Sequence, residues 1–242
     1  LIRKIFFVAA NQRLTLYQSL LHIKKLGFNP NTIIDVGVAK GTKDLYKAFP
    51  RSFFVLIEPL KEYEYFMKRI LKKYNGIFKL TAASNVNGFK TFNLHPNHMD
   101  GSSLLKEETG IESDGYEIKV SSSRIDDIAK EEKLKGPYIL KIDVQGAELE
   151  VLSGTVNTLK YTEVIALEVS LFKFMKGAPD FYEVINYMKN NGFVTYDILQ
   201  GFYRPLDNAL GQVDIIFVKE DGIFRKDHRY ASKNQLKKLG FI

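Results

Sequence analysis

Four acidic residues lie at or just beyond the ends of short apolar runs in this sequence. The first run closes as Asp35-Val36-Gly37-Val38-Ala39-Lys40-Gly41-Thr42. Glycine after a strand lets the backbone turn sharply and approach a ligand closely. A helix starting there offers unpaired N–H groups. The turn lacks the third glycine of Gly-x-Gly-x-x-Gly, and an acid precedes its first glycine. A carboxylate in that place repels a pyrophosphate and suits a cationic or hydroxyl-rich ligand. By itself the turn also fits an ordinary strand-to-helix connection. Glu58 closes the second run, 17 residues beyond Gly41, where a carboxylate can accept both hydroxyls of a ribose. Followed by Pro59, it equally suits the first turn of a helix. A later run ends Lys141-Ile142-Asp143-Val144-Gln145-Gly146-Ala147-Glu148. Polar groups at such a lip cost free energy unless paired. Asp143 can therefore be a base, a ligand anchor, a metal ligand, or an acid favouring its helix dipole. Glu168, at the end of the next run, is a second crevice candidate or a surface acid paired with a lysine. His98 and His95, in a long polar loop, are general-base candidates at neutral pH, whereas His22 and His228 are read as incidental.

The elements that must carry these residues alternate. Residues 12–26 space Leu14, Tyr17, Leu20, Leu21 and Lys24 as an amphipathic helix ended near Gly27. Strands are expected at 32–37, 52–58, 77–82, 138–143 and 163–169, with helices at 42–49, 60–74, 124–133, 147–159 and 180–191. Segments 88–94 and 116–121 alternate apolar and polar, as half-exposed strands of an insertion do. Segments 193–199 and 212–219 read as a hairpin at the sheet edge. Near-continuous apolar strands alternating with helices imply a mostly parallel sheet covered on both faces. Its ligand crevice lies beyond the carboxyl ends of the strands, where the acidic residues fall.

Composition narrows the classes. The 242 residues contain no cysteine, which removes disulfides, thiolate metal sites and a cysteine nucleophile. Four histidines leave little for a histidine metal site, so metal-independent chemistry is expected. No apolar run approaches the ~18 residues of a membrane helix. The opening run Ile5 to Ala10 is shorter than the core of a signal peptide, and a cytoplasmic protein is expected. The net charge of +7 is terminal: residues 1–30 hold five basic and no acidic residues, and residues 31–218 sum to −2. A basic groove for nucleic acid is not evident in that pattern.

Several stretches together resemble the FkbM-type methyltransferases, within the class I S-adenosylmethionine-dependent enzymes. They are Thr32-Ile33-Ile34-Asp35-Val36-Gly37, Leu56-Ile57-Glu58-Pro59, Ala82-Ala83-Ser84, Gly101-Ser102-Ser103-Leu104, Arg124-Ile125-Asp126, Leu140 to Glu148, and Leu152-Ser153-Gly154. The stretch Lys141 to Glu148 is the most specific. The resemblance implies an α/β Rossmann-like fold: a seven-stranded, mostly parallel sheet with an antiparallel last strand and helices on both faces. The expected organisation is a helical extension at 1–30, a methyltransferase domain at 31–220 with an insertion at about 88–122, and a basic tail at 221–242. The resemblance further implies S-adenosyl-L-methionine as cofactor and methyl transfer to a hydroxyl of a sugar, glycan or secondary metabolite. Carried over by position, Asp35 and Gly37 line the methionine end, Glu58 holds the ribose, and Ala83 and Ser84 lie near the adenine; Gly41 is a further cofactor-binding candidate. Asp143 faces the transferred methyl and is the first choice of base, with His98 the second. Two departures stand out: Ala39 replaces the asparagine usual in the turn, and Gln145 replaces the usual glutamate. Competing readings are an RNA or DNA methyltransferase, a nicotinamide-dependent oxidoreductase, and a degenerate, non-catalytic cofactor-binding protein. Acceptor contacts are expected from the 93–115 loop, the N-terminal helix, and the 170–180 and 200–212 loops, with Phe172, Phe174, Phe202 and Tyr203 as stacking candidates.

Overall fold

A computed structural model describes residues 12–108 and 115–241. The first part of the expected N-terminal extension, six residues of the expected insertion (109–114) and Ile242 lie outside the described residues.

The apolar runs form the strands that their burial demands. Strands β1 (Thr32–Val36) and β2 (Phe53–Ile57) are almost wholly buried, as sheet strands covered on both faces must be. β3 (Gly76–Lys79) ends the sheet on that side. A second, three-stranded sheet is built from β4 (Ala82–Ala83), β5 (Gly88–Leu94) and β6 (Tyr116–Ser123). The expected strand at 77–82 is therefore split, and its end joins the insertion. The main sheet continues with β7 (Tyr138–Ile142), β8 (Thr162–Ser170), β9 (Phe193–Ile198), the two-residue β10 (Phe202–Tyr203) and β11 (Leu210–Lys219). Its order is β3-β2-β1-β7-β8-β11, with β9 and β10 sharing the outer edge of β11. Every pairing from β3 to β8 is parallel, and β11 runs antiparallel to its neighbours. This is the α/β arrangement expected, with β10 added to the seven strands.

On one face lie α1 (Leu16–Lys25), α2 (Lys43–Ala48) and α3 (Glu64–Leu71), burying Leu20, Ile23, Leu45 and Met67 against Ile33, Phe54 and Ile139. On the other lie α4 (Ile125–Glu131), α5 (Glu148–Ser153), α6 (Val156–Leu159) and α7 (Phe181–Asn190), packed on Ile34, Val55, Leu140 and Ile165. The single helix expected over 147–159 is broken at Gly154, where a side chain would stand 2.1 Å from the Ser84 carbonyl oxygen. Asp126 then accepts the N–H groups of Asn157 and Thr158 (2.9 and 2.7 Å) and starts α6 as a separate helix. The basic tail carries α8 (Lys233–Leu239), which buries none of its residues.

Candidate active site

Register collects the acids into one row. Val36 pairs with Ile57 and with Ile142, so Gly37, Glu58 and Asp143 leave three adjacent strands at one level. Ile142 pairs with Leu167, and Glu168 pairs with Asp214, which extends the row across β8 and β11. Gly37 has a φ of +73°, and a Cβ there would stand 1.8 Å from the Asp143 carbonyl oxygen. Only glycine permits that approach of the two turns.

Asp35 is fully buried and its carboxylate is used internally. It accepts from the Tyr46 hydroxyl (2.5 Å) and the Thr42 hydroxyl (3.1 Å), which fixes the start of α2 to the end of β1. Burial pushes its proton affinity up, and Lys141, 3.8 Å away, opposes that. Lys141 also reaches Asp143 (3.1 Å) and the Gly37 carbonyl (3.3 Å). Burial works against the Lys141 charge, but Asp143 and Asp35 outweigh it and raise its pKa. The remaining oxygen of Asp143 accepts from the Gln145 amide (2.9 Å), whose nitrogen also donates to Glu168 (2.9 Å). Gln212 donates to that same Glu168 oxygen at 3.0 Å. Burial, then the charges of Asp143, Glu148 and Asp214, push Glu168 up to about 8. Burial likewise pushes Asp214 up to about 6. Glu148 clamps the turn by accepting from Val144 and Gly146 N–H, both at 3.1 Å.

Two cavities open along this row. The smaller, about 670 Å³, lies between the Gly37–Thr42 turn, Glu58 to Leu60 and the second sheet. The larger, about 1130 Å³, lies on the α2 and α3 side and reaches Asp214, Phe202 and Tyr203. They meet at Lys141, Asp143, Glu168 and Phe202, which line both. Glu58 is pushed up to about 7 by burial, against the N–H groups of Ala39 and Leu60 that it accepts at 3.0 Å each.

Of the residues singled out in the sequence, Gly37, Gly41, Glu58, Ala83, His98 and Asp143 line the smaller cavity. Asp35 and Ser84 do not. Ser84 is fully buried and donates to Glu150 (2.6 Å), tying β4 to α5. His98 packs over Gly101, beside Met99 and Asp100, and is absent from the larger cavity. Asp126 of the Arg-Ile-Asp stretch is the α6 cap described above. Ser103 of Gly-Ser-Ser-Leu donates to the Gln145 carbonyl (2.8 Å) and so anchors the insertion to the Asp143 turn. Phe202 and Tyr203 face the larger cavity, whereas Phe172 stacks under the Arg204 guanidinium at 3.8 Å. Asp214 and Gln212 were not evident in the sequence: an acid inside the apolar run Val213 to Val218 was the available signal, as Asp35 is in its own run. Among the described residues no three His, Asp or Glu side chains gather as metal ligands do.

Residues 35–195 match the model of the methyltransferase FkbM domain. The chain belongs to the FkbM methyltransferase family. No curated protein matches it. Among solved structures, this methyltransferase is similar to magnesium protoporphyrin IX methyltransferase from Synechocystis, solved with S-adenosylmethionine (9% identity, 84% of this chain and 76% of that one, TM-score 0.47). It is also similar to precorrin-6y C5,15-methyltransferase from Geobacter metallireducens (12% identity, 84% and 86%, TM-score 0.45). A third is the 1,6-didemethyltoxoflavin N1-methyltransferase of Burkholderia thailandensis (12% identity, 84% and 77%, TM-score 0.41). The enzyme is an S-adenosyl-L-methionine-dependent methyltransferase.

The donor set of the smaller cavity fits that cofactor. Each Glu58 oxygen accepts a single backbone N–H, which leaves lone pairs for ribose hydroxyls. Leu60, Ala82, Ala83 and Phe92 form an apolar part of the cavity wall, of the kind that suits a base, and Asp143 an acidic part, of the kind that suits a sulfonium. No helix among the described residues is long and apolar enough to cross a membrane.

Proposed function

We propose that this methyltransferase methylates a hydroxyl oxygen of a sugar, glycan or secondary metabolite, with the cofactor in the smaller cavity and the acceptor in the larger. The observation that carries the reading is the junction of the two cavities at Asp143 and Glu168. S-Adenosyl-L-methionine, when bound, supplies a methyl carbon whose bond to sulfur breaks as its bond to the acceptor oxygen forms. The chain's own residues orient the acceptor and take its proton. Glu58 holds the ribose, and the Gly37 turn and Asp143 receive the methionine end. Asp143, with one oxygen on Lys141 and the other on Gln145, is held rigidly and orients the acceptor hydroxyl. Glu168 accepts the proton: its elevated value near 8 lies in the range a base needs close to neutral pH. Of the two cavities His98 lines only the smaller, away from the acceptor. Positioning the two reactants at one junction supplies much of the rate of a direct displacement.

The test uses a panel of sugars and polyols, with methyl gain read by mass spectrometry. Glu168→Gln should bind S-adenosylhomocysteine normally and lose about 10²–10⁴-fold in transfer. Asp143→Asn should lose transfer too, with a larger effect on KM. Undiminished transfer by Glu168→Gln would remove Glu168 from the role of base.

A further inference from the structure

The larger cavity has walls of opposite character. Its floor is acidic, with Asp143, Glu168 and Asp214 set around Lys141. Its rim on the helix side is basic. Lys43 and Lys47 stand one turn apart on α2, and Arg69 and Lys73 stand one turn apart along α3 and its end. All four are exposed. Among the described residues none of the four has a carboxylate oxygen within 4 Å. Asp44 is the single acid on that wall. Arg69 and Lys73 lie over the Tyr65 and Tyr74 rings at 5.7 and 5.5 Å; like charges four residues apart on a helix repel, so two such pairs lining one cleft await a counter-charge. On the far side, Phe202 and Tyr203 offer exposed aromatic faces.

We propose that the acceptor is an anionic sugar or polyol. Its phosphate or sulfate is held by Lys43, Lys47, Arg69 and Lys73, its ring lies against Phe202 and Tyr203, and its hydroxyl reaches Asp143 and Glu168. The inference rests on the methyl-transfer reading, since it assigns the larger cavity to the acceptor. A small anion satisfies both walls: one charged group meets the rim and a neutral hydroxyl meets the floor. A polynucleotide would bring further phosphates onto the acidic floor.

The experiment titrates S-adenosylhomocysteine-saturated protein with glucose, glucose 6-phosphate and glucose 6-sulfate, and with a single-stranded RNA oligonucleotide, at low and high salt. The phosphate and sulfate should each bind at least about tenfold tighter than glucose, and the gap should narrow with salt. Lys43→Ala/Lys47→Ala and Arg69→Ala/Lys73→Ala should each remove most of that gap, and these exposed positions make both double variants safe for folding. A phosphate preference alone or a sulfate preference alone would name the anion and uphold the proposal. Equal binding of all three sugars, absence of binding by either anionic sugar at about 10 mM, or a gap unchanged in both variants would overturn it. RNA binding tighter than both anionic sugars would overturn it in favour of a nucleic-acid acceptor. S-Adenosylhomocysteine binding on the same samples separates the two readings. Retained binding without an anion preference sinks this inference alone. Failure of S-adenosylhomocysteine to bind would overturn the methyl-transfer reading and this inference with it, whatever the sugars do.

Discussion

Replacing Glu58 with glutamine should flatten the pH dependence of cofactor binding as well as weaken it. Burial pushes the Glu58 carboxyl up to about 7, against the pull of the Ala39 and Leu60 N–H groups. Ribose hydroxyls donate to the ionised carboxylate, so binding selects the deprotonated form. If only that form binds, the apparent Kd is multiplied by about 11 one pH unit below the pKa and by about 1.1 one unit above it. Wild-type affinity for S-adenosylhomocysteine should therefore tighten about tenfold, or ~1.4 kcal/mol, between pH 6 and pH 8. Glutamine offers one acceptor oxygen where two backbone N–H groups now find one each. Losing hydrogen bonds to a charged group, at about 1.5–3 kcal/mol, predicts a loss of about 10- to 150-fold at pH 8. The assay is isothermal titration of both proteins at constant ionic strength. Glu168 also lines this cavity and is pushed up to about 8, so the slope lost in the variant is the quantity to read. Glu148, at about 7, is spent on the Val144 and Gly146 N–H groups and does not line the cavity. A Glu58→Gln protein with wild-type slope and affinity would refute Glu58 as the ribose acceptor.

Other outcomes follow from the same geometry. Glu58, Glu148, Glu168 and Asp214 are all raised, to between about 6 and about 8. Such groups stabilise the fold fully below their unfolded values and lose that contribution as pH rises through their folded ones. Ligand-free protein should therefore be most resistant to denaturant in mild acid and weaken from about pH 5 to pH 8.5. Glu168→Gln should shrink that fall by up to about 4 kcal/mol, and resistance that rises with pH would contradict the assignment. Ala39 sits at φ +44°, a left-handed conformation that asparagine tolerates better. Ala39→Asn should raise stability by up to about 1 kcal/mol and Tm by about 2–4 °C, and a Tm at or below wild type would count against backbone strain at this position. The Tyr46 hydroxyl donates to buried Asp35 and accepts from the Thr42 N–H at 3.0 Å. Tyr46→Phe should destabilise by about 1–3 kcal/mol, and a chemical denaturation midpoint equal to wild type would show that Asp35 finds another donor.

The strands were legible because their residues are. Phe53 to Ile57 is apolar throughout, and Thr32 to Val36 and Tyr138 to Ile142 are mostly apolar, interrupted by Asp35 and Lys141, which leaves a strand buried on both faces as their consistent environment. Glu58 and Asp143 were legible for a related reason: each is the first polar residue after such a run, and a parallel sheet sends those positions to one edge. The family resemblance, carried over by position, implies that Asp35 lines the methionine end of the cofactor. Its direction was not readable, since side chains alternate along a strand and Asp35 points to the α2 face, where Tyr46 and Thr42 bind it. The expected continuous helix over 147–159 failed for a similarly distant reason: Asp126, on α4, supplies the cap that starts a new helix.

The sequence by itself determined the layered α/β order, the two turns that carry Gly37 and Asp143, and membership of a methyl-transferring family. It did so because these depend on local pattern: apolar runs, glycine placement and short contiguous stretches. Only the tertiary structure decided how the acids act together. Asp214 joins Glu168 because β11 inserts antiparallel between β8 and β9, a pairing between residues 46 positions apart. Gln145 bridges Asp143 and Glu168 only once β7 and β8 are in register. The basic rim likewise exists only because α2 and α3 pack on one face of the sheet and turn Lys43, Lys47, Arg69 and Lys73 toward one cleft. Such long-range juxtapositions are set by packing of the whole sheet, and no local stretch of the chain encodes them.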